Sequence, residues 1–267
     1  MRCFLNAKGF IFPLMLATVG GCATSPLGRS QLILFPESEM RQMGVTAYQQ
    51  MQSEIPRETA PEVTGYVQCV VDHIVRAMPR GNTAAWEITV FADDQANAFA
   101  LPGGKIGVYT GMLDVAQNQD QLAAVVAHEV AHVTSKHANE RVSTNFLTQS
   151  GLQLAQVVAG GNSPQRQRLF GLLGVGAQVG VLLPFGRAQE SEADLVGLDY
   201  MARAGFDPRE SVRLWENMAK AGGAKPPEFL STHPSGDRRM RELNARMRSA
   251  MALSLQARSA GRNPDCR

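Results

Sequence analysis

The chain is 267 residues long, 44% hydrophobic and 19% charged, the composition of one ordinary globular domain with appendages and not of a disordered or fibrous chain. Its formal charge is +2, with 26 basic residues interspersed among 24 acidic ones. There is no long basic run, which removes the electrostatic basis for binding nucleic acid.

Arg2 and Lys8 form a short basic region ahead of an apolar stretch, Phe10 to Val19, that ends in small residues, the layout of an export signal over residues 1–21. The stretch is far shorter than the roughly 20 residues a helix needs to span a bilayer. Val19-Gly20-Gly21-Cys22 resembles the lipobox of bacterial lipoproteins, with Val19 where Leu is usual. That resemblance implies lipidation of Cys22, and Ala23 after it fits sorting to the outer rather than the inner membrane. Acyl chains on Cys22 would tether the chain without a spanning segment, each buried methylene contributing about 0.8 kcal/mol. Residues 22–60 are then tether and N-terminal helix, with Ser25 to Ser30 the start of a flexible leash. Cys3 leaves with the signal and Cys22 is used for lipid, so Cys69 and Cys266 remain. An even pair in an oxidising periplasm invites a disulfide, the alternative being a buried helix thiol and a loose tail thiol.

Gln31, Leu32 and then Glu37 to Met51 read as an N-terminal helix ended by Pro56. Pro61 to Met78 places Val63, Val67, Val70, Val71, Ile74 and Val75 at helical spacing, stopped by Pro79-Arg80-Gly81. Trp86 to Phe91, Ala98 to Leu101 and Lys105 to Thr110 are short strand-like runs, the last two joined by Pro102-Gly103-Gly104. They predict a small antiparallel sheet. Asp120 is the candidate N-cap of a long helix from Gln121 to about Val142, with Leu122, Val125, Val126 and Val130 facing the core.

Thr144 to Leu183 reads as two helical arms joined by a flexible turn at Gly160-Gly161-Asn162-Ser163-Pro164, with Leu169 to Leu183 a hairpin over the site rather than a membrane contact. Ala188 to Ala204 is helical and closed by Gly205 and Pro208. Pro208 to Lys220 is a further helix, Lys225 to His233 a proline-rich loop, and Asp237 to about Ala257 a last charged helix. The main domain is expected over residues 61–250 and a C-terminal tail over 251–267. No repeat follows it, so a partner is expected to dock on the main domain itself.

His128-Glu129-Val130-Ala131-His132 is an HExxH element inside a predicted helix. Residues four apart share a face, so both imidazoles can reach one zinc ion, and Glu129 beside them can reach the attacking water as general base. The flanking Val and Ala residues put the histidines in an apolar helix, where polar groups must be bonded or ligating. A catalytic zinc takes three protein ligands. Glu190-Ser191-Glu192-Ala193-Asp194 on another predicted helix supplies the third as Glu190 or Glu192 on chemistry alone. The reading is a gluzincin: an α+β, mainly helical, zincin-like metallopeptidase domain.

These two elements, with Asn97-Ala98-Phe99-Ala100-Leu101-Pro102-Gly103-Gly104 before them and Ser231-Thr232-His233-Pro234 after, resemble the CaaX prenyl protease / HtpX class of zinc metallopeptidases, over about residues 60 to 250. Within the class the chain is similar to the periplasmic lipoprotein, beta-barrel assembly-enhancing branch. The resemblance implies His128, His132 and Glu190 as ligands of one Zn2+, with Asp194 holding His128 or His132 and Glu192 a bystander. It implies that Ala98 to Leu101 and the following strand form an edge that takes an extended substrate. His233, in a fragment the class shares, is read as an oxyanion donor or as a fourth ligand that silences the enzyme, the alternative being a loop histidine bonded to backbone; Arg238 or Arg187 is read as a further charge or as a surface residue, and His73 and His137 as structural or solvated. The implied substrates are misfolded or misassembled envelope proteins, with association with the outer-membrane assembly machinery. The rival reading is a chaperone-like assembly factor whose protease site is mostly closed.

Overall fold

The computed structural model describes residues 22–78, 85–158, 185–221, 227–233 and 237–266. The export signal, the stop at Pro79-Arg80-Gly81, the Gly160 to Pro164 turn, the Leu169 to Leu183 hairpin, the start of the loop at Lys225 and Pro234 lie outside them.

The first described segment is not a leash. β1 (Cys22–Thr24) and β2 (Ser30–Leu32) pair as an antiparallel hairpin, in which Ser25 Oγ accepts from the Arg29 N–H. Polar side chains dock it onto the body: Gln31 is buried and its Nε2 donates to Ser135 O at 2.7 Å.

α1 (Glu37–Glu54) ends at Ile55, which is extended as the residue before a proline must be. Its buried Ala47 and Tyr48 cover one face of the sheet, in an aromatic cluster with Phe91, Phe99 and Tyr109. α2 (Pro61–Ala77) opens with Pro at a position where the missing N–H costs nothing. It buries the stripe Val67, Val70, Val71 and Ile74 in the main core.

The sheet is small, as expected, but mixed. β3 (Glu87–Phe91) runs parallel to β5 (Lys105–Tyr109), while β4 (Ala98–Leu101) is antiparallel to β5, in the order β3-β5-β4. β4 and β5 form the expected hairpin, and the connection from β3 delivers the chain to the far side of β5. Hence β5 is paired on both sides, and the edge expected of both strands is carried by β4 alone.

α3 (Thr110–Val115) leads to α4 (Gln119–Thr134). The cap is Asn118, whose side chain accepts from the Gln121 N–H at 2.9 Å. Asp120, expected in that role, instead accepts from the Asp207 N–H at 2.7 Å. The long helix expected to Val142 breaks at Ser135, where Lys136 takes φ 55°. α5 (His137–Val158) then sets off in a new direction.

α6 (Arg187–Ala204) crosses α4 at Gly197, where a Cβ would lie 2.9–3.0 Å from the backbone of Ala127 and His128. It closes at Gly205, φ 97°, as a left-handed C-terminal residue. α7 (Glu210–Ala221), α8 (Glu228–Thr232) and α9 (Asp237–Ser259) complete the body. The tail after α9 folds back, and Cys266 is buried in a disulfide with Cys69 of α2, Cα atoms 5.5 Å apart. None of the described helices is long and apolar enough to cross a membrane.

Candidate active site

α6 is buried on nearly every side, yet it carries Glu190, Glu192, Asp194 and Asp199 inward. Buried carboxylates are tolerated only when paired or ligating, and each of these has cationic or imidazole partners. Asp199 pairs with Arg246 at 2.6 Å. Glu190 and Asp194 face α4, and Glu192 faces His137 of α5 and the 22–32 hairpin.

His128 and His132, one turn apart on α4, point their Nε2 atoms at each other, 3.1 Å apart. Glu190 enters from α6, with Oε1 3.4 Å from His132 Nε2 and Oε2 3.6 Å from His128 Nε2. α8 is fastened to the connection before β4 by the Phe229 N–H donating to Ala96 O, and it delivers His233 as the fourth member, with Nδ1 3.0 Å from Glu190 Oε1 and 3.2 Å from His128 Nε2. One donor atom from each of the four lies within 4.8 Å of the others. Burial opposes a charge on Glu190, but its contacts with His128, His132 and His233 outweigh that and hold its carboxyl far below the usual range. Such a cluster of imidazoles and one carboxylate is a donor set for a divalent metal.

Glu129 points from α4 toward the sheet. Its Oε2 accepts from the Ala100 N–H of edge strand β4 at 3.2 Å, and its Oε1 is 3.4 Å from His233 Nε2. Burial pushes its carboxyl pKa up, the direction that suits a group that takes up and returns a proton.

Of the two histidines Asp194 was expected to hold, it lies beside His128, with Oδ1 3.1 Å from His128 Nδ1. Arg239 of α9 locks Asp194 through both oxygens, at 2.5 and 2.8 Å, and reaches Glu190 Oε2 at 2.7 Å. Neither Arg238 nor Arg187 joins the site: both are exposed, and Arg238 pairs with Glu242. A register count along α9 would have picked out Arg239, because it shares the buried face with Leu243, Ala250, Ser254 and Ala257.

His137 and Glu192 are also closer to the centre than expected. His137 is fully buried with Nδ1 3.0 Å from His132 Nδ1, so it is not solvated. Glu192, expected as a bystander, meets His137 Nε2 at 3.2 Å. On an unbroken helix a residue five beyond His132 would face away, so the break at Lys136 is what brings His137 back. His73 lies elsewhere, edge-on to Phe206 and beside the disulfide.

The description Peptidase family M48 matches residues 61–247. The chain belongs to that family. Among its curated relatives, the mitochondrial metalloendopeptidase OMA1 of Schizosaccharomyces pombe is 36% identical over 208 residues, covering 76% of this chain and 59% of the relative. The OMA1 of Saccharomyces cerevisiae is 39% identical over 168 residues, 60% of this chain and 46% of the relative. The beta-barrel assembly-enhancing protease of Yersinia pestis is 32% identical over 212 residues, 76% of this chain and 43% of the relative. The chain thus spans about half the length of the curated M48 relatives it matches. Membership in this metallopeptidase family accords with the mainly helical, zincin-like fold and with a divalent metal at the four-residue cluster.

Proposed function

We propose that the chain is a zinc endopeptidase that cleaves misfolded or misassembled proteins of a bacterial envelope, tethered there by lipid on Cys22. The observation that carries the peptidase reading is the convergence of His128, His132 and Glu190 with Glu129 beside the edge strand. Zinc bonds to nitrogen and oxygen at about 2.0–2.2 Å, which spaces ligand atoms on a tetrahedron about 3.4 Å apart. The separations within the cluster, 3.0 to 3.6 Å, fit that spacing. Bound there, zinc would polarise the scissile carbonyl and make water a stronger acid.

The chain's own residues supply the rest. An extended peptide would add to β4, the strand whose Ala100 N–H already reaches the site. Glu129 would take the water's proton and hand it to the leaving amine, its raised pKa making it the stronger base for the first transfer. In this arrangement His233 Nδ1 occupies the fourth corner and Ala100 occupies Glu129, which favours a site that rests closed and opens when a substrate arrives. The chaperone-like reading draws on the same contact.

The envelope assignment is supported by the signal-like N-terminus and the Cys69–Cys266 disulfide, which belongs to an oxidising compartment. The beta-barrel assembly-enhancing relatives accord with it and with contact with outer-membrane assembly machinery, whereas the OMA1 relatives are named as mitochondrial. Radiolabelled palmitate incorporated by the wild type and lost in Cys22→Ser would bear out the tether. For the activity, zinc content and casein cleavage are measured together. One zinc per chain in the wild type and in Glu129→Gln, lost in Glu190→Ala, with cleavage by the wild type alone, is the expected result. Cleavage by Glu129→Gln at the wild-type rate would end the assignment.

A further inference from the structure

The two zinc-facing imidazoles are held from behind in different ways. His128 Nδ1 meets a carboxylate, Asp194, directly. His132 Nδ1 meets another imidazole, His137, whose far nitrogen meets the Glu192 carboxylate. Glu192 also accepts from the Leu27 N–H at 3.1 Å and from Arg29 Nε and Nη2 at 3.2 and 3.1 Å. With that many donors on two oxygens, Glu192 can act only as acceptor, so His137 Nε2 must carry its proton. His137 Nδ1 is then the lone pair, and His132 Nδ1 must donate to it. This leaves the lone pair of His132 Nε2 aimed at Glu190 and His128, the orientation a ligand needs. Reversing any proton in the chain would put an N–H where the metal belongs.

The outermost member comes from the hairpin at the start of the described chain. Arg29 sits in the turn between β1 and β2 and bridges Glu192 of α6 to Glu140 of α5, donating to Glu140 Oε2 at 2.7 Å and making a second contact to Oε1. Gln31 reinforces the docking through Ser135 O, at the end of the helix that carries both histidines, and through Glu140 at 3.2 Å. We propose that Arg29, Glu192 and His137 form a positioning relay that sets the tautomer and ring angle of His132, making the docked 22–32 segment a working part of the metal centre and not only a tether. The proposal rests on the reading of His132 as a zinc ligand.

The test uses the intact chain loaded with zinc or with cobalt(II) in its place. Zinc affinity is read by chelator competition, ligand geometry by the visible absorption of the cobalt form, and folding by thermal melting. Glu192→Gln and His137→Phe are expected to weaken zinc binding on the order of 10–100-fold and to shift the cobalt bands. Arg29→Ala is expected to shift the same bands, and Arg29→Lys to restore them in part. The comparator is Arg246→Ala, which breaks the pair between Arg246 of α9 and Asp199 of the same α6 helix, a pair that among the described residues makes no hydrogen bond to His132, His137 or Glu192 and so lies outside the relay. It should lower the melting temperature and leave the cobalt spectrum unchanged. Zinc affinity within about twofold of wild type and an unaltered cobalt spectrum in Arg29→Ala and Glu192→Gln would overturn the relay. So would an equal shift in Arg246→Ala. Should Glu192→Gln fail to fold, the Arg29 pair decides on the same two readouts. A wild type that binds no zinc overturns both this proposal and the zinc reading, whereas one that binds zinc tightly and cleaves nothing overturns the peptidase reading alone.

Discussion

Asp194 stands between His128 and Arg239, with one oxygen 3.1 Å from the His128 ring nitrogen and both oxygens gripped by the guanidinium. Arg239 also lies over the Trp215 ring at 4.2 Å, so a single buried cation ties α9 to two acids of α6. Arg239→Leu removes the cation and leaves Asp194 and Glu190 buried beside each other. Breaking a buried pair in this way costs about 3–5 kcal/mol. The expected outcome is a large drop in melting temperature and weaker zinc retention, checked by calorimetry and metal analysis. A melting temperature like the wild type's would show that the pair does not hold the site together.

His233 gives the sharpest sign test. Its Nδ1 lies among the proposed ligand atoms, so His233→Ala is expected to raise basal casein cleavage by freeing the fourth corner. A fall in kcat with unchanged KM would place the ring on the transition-state oxyanion instead.

Gly197→Ala is expected to destabilise by about 1–3 kcal/mol, because the added methyl meets the backbone of α4 and cannot be relieved by rotating a side chain. Since α4 and α6 carry the proposed ligands on either side of that crossing, zinc affinity should fall with stability. Urea unfolding and chelator competition on the same sample check both.

The docking of residues 22–32 should depend on acid. Burial raises the Glu140 carboxyl, but Arg29, Gln189 and Gln31 bring it net below its ordinary 4.5. A depressed carboxyl contributes stability that is complete above about 4.5 and is lost as pH falls through its folded value. The melting temperature of Glu140→Gln should therefore lie below the wild type's at neutral pH and converge with it in acid. A gap that persists unchanged at low pH would mean that the Glu140 charge does not fasten the segment.

The proposed ligands were legible in the sequence because helical spacing alone puts His128 and His132 on one face, and because a short acidic motif on a second helix follows them. Helix existence was legible for the same reason of periodicity. What escaped were features with no local signature. The break at Ser135–Lys136 contains neither Gly nor Pro, so the pattern reads through it as one helix, and with the helix continuous His137 points the wrong way. The parallel pairing of β3 with β5 depends on where the connection crosses, which alternation cannot reveal. Arg239 is one residue from Arg238 in a run of charge, and it is told apart only by following the buried face of α9 on through Leu243, Ala250 and Ala257. The hairpin at 22–32 lacks an apolar stripe and docks through Gln31 and Arg29, a polar mode of attachment that hydropathy reads as a loose linker.

The helix that carries His128 and His132 is grasped from both directions of the chain. Gln119, its first residue, donates to Pro264 O and accepts from the Cys266 N–H, while the carbonyl of Ser135, the cap at its far end, accepts from Gln31 of the hairpin. Tension applied through residues leading into Cys22 or out of Cys266 is therefore delivered to opposite ends of one rod, the rod on which the imidazoles are mounted. A fusion partner or affinity handle joined after Cys266 would pull on the helix that carries both imidazoles, and handles of different size should leave measurably different zinc release rates.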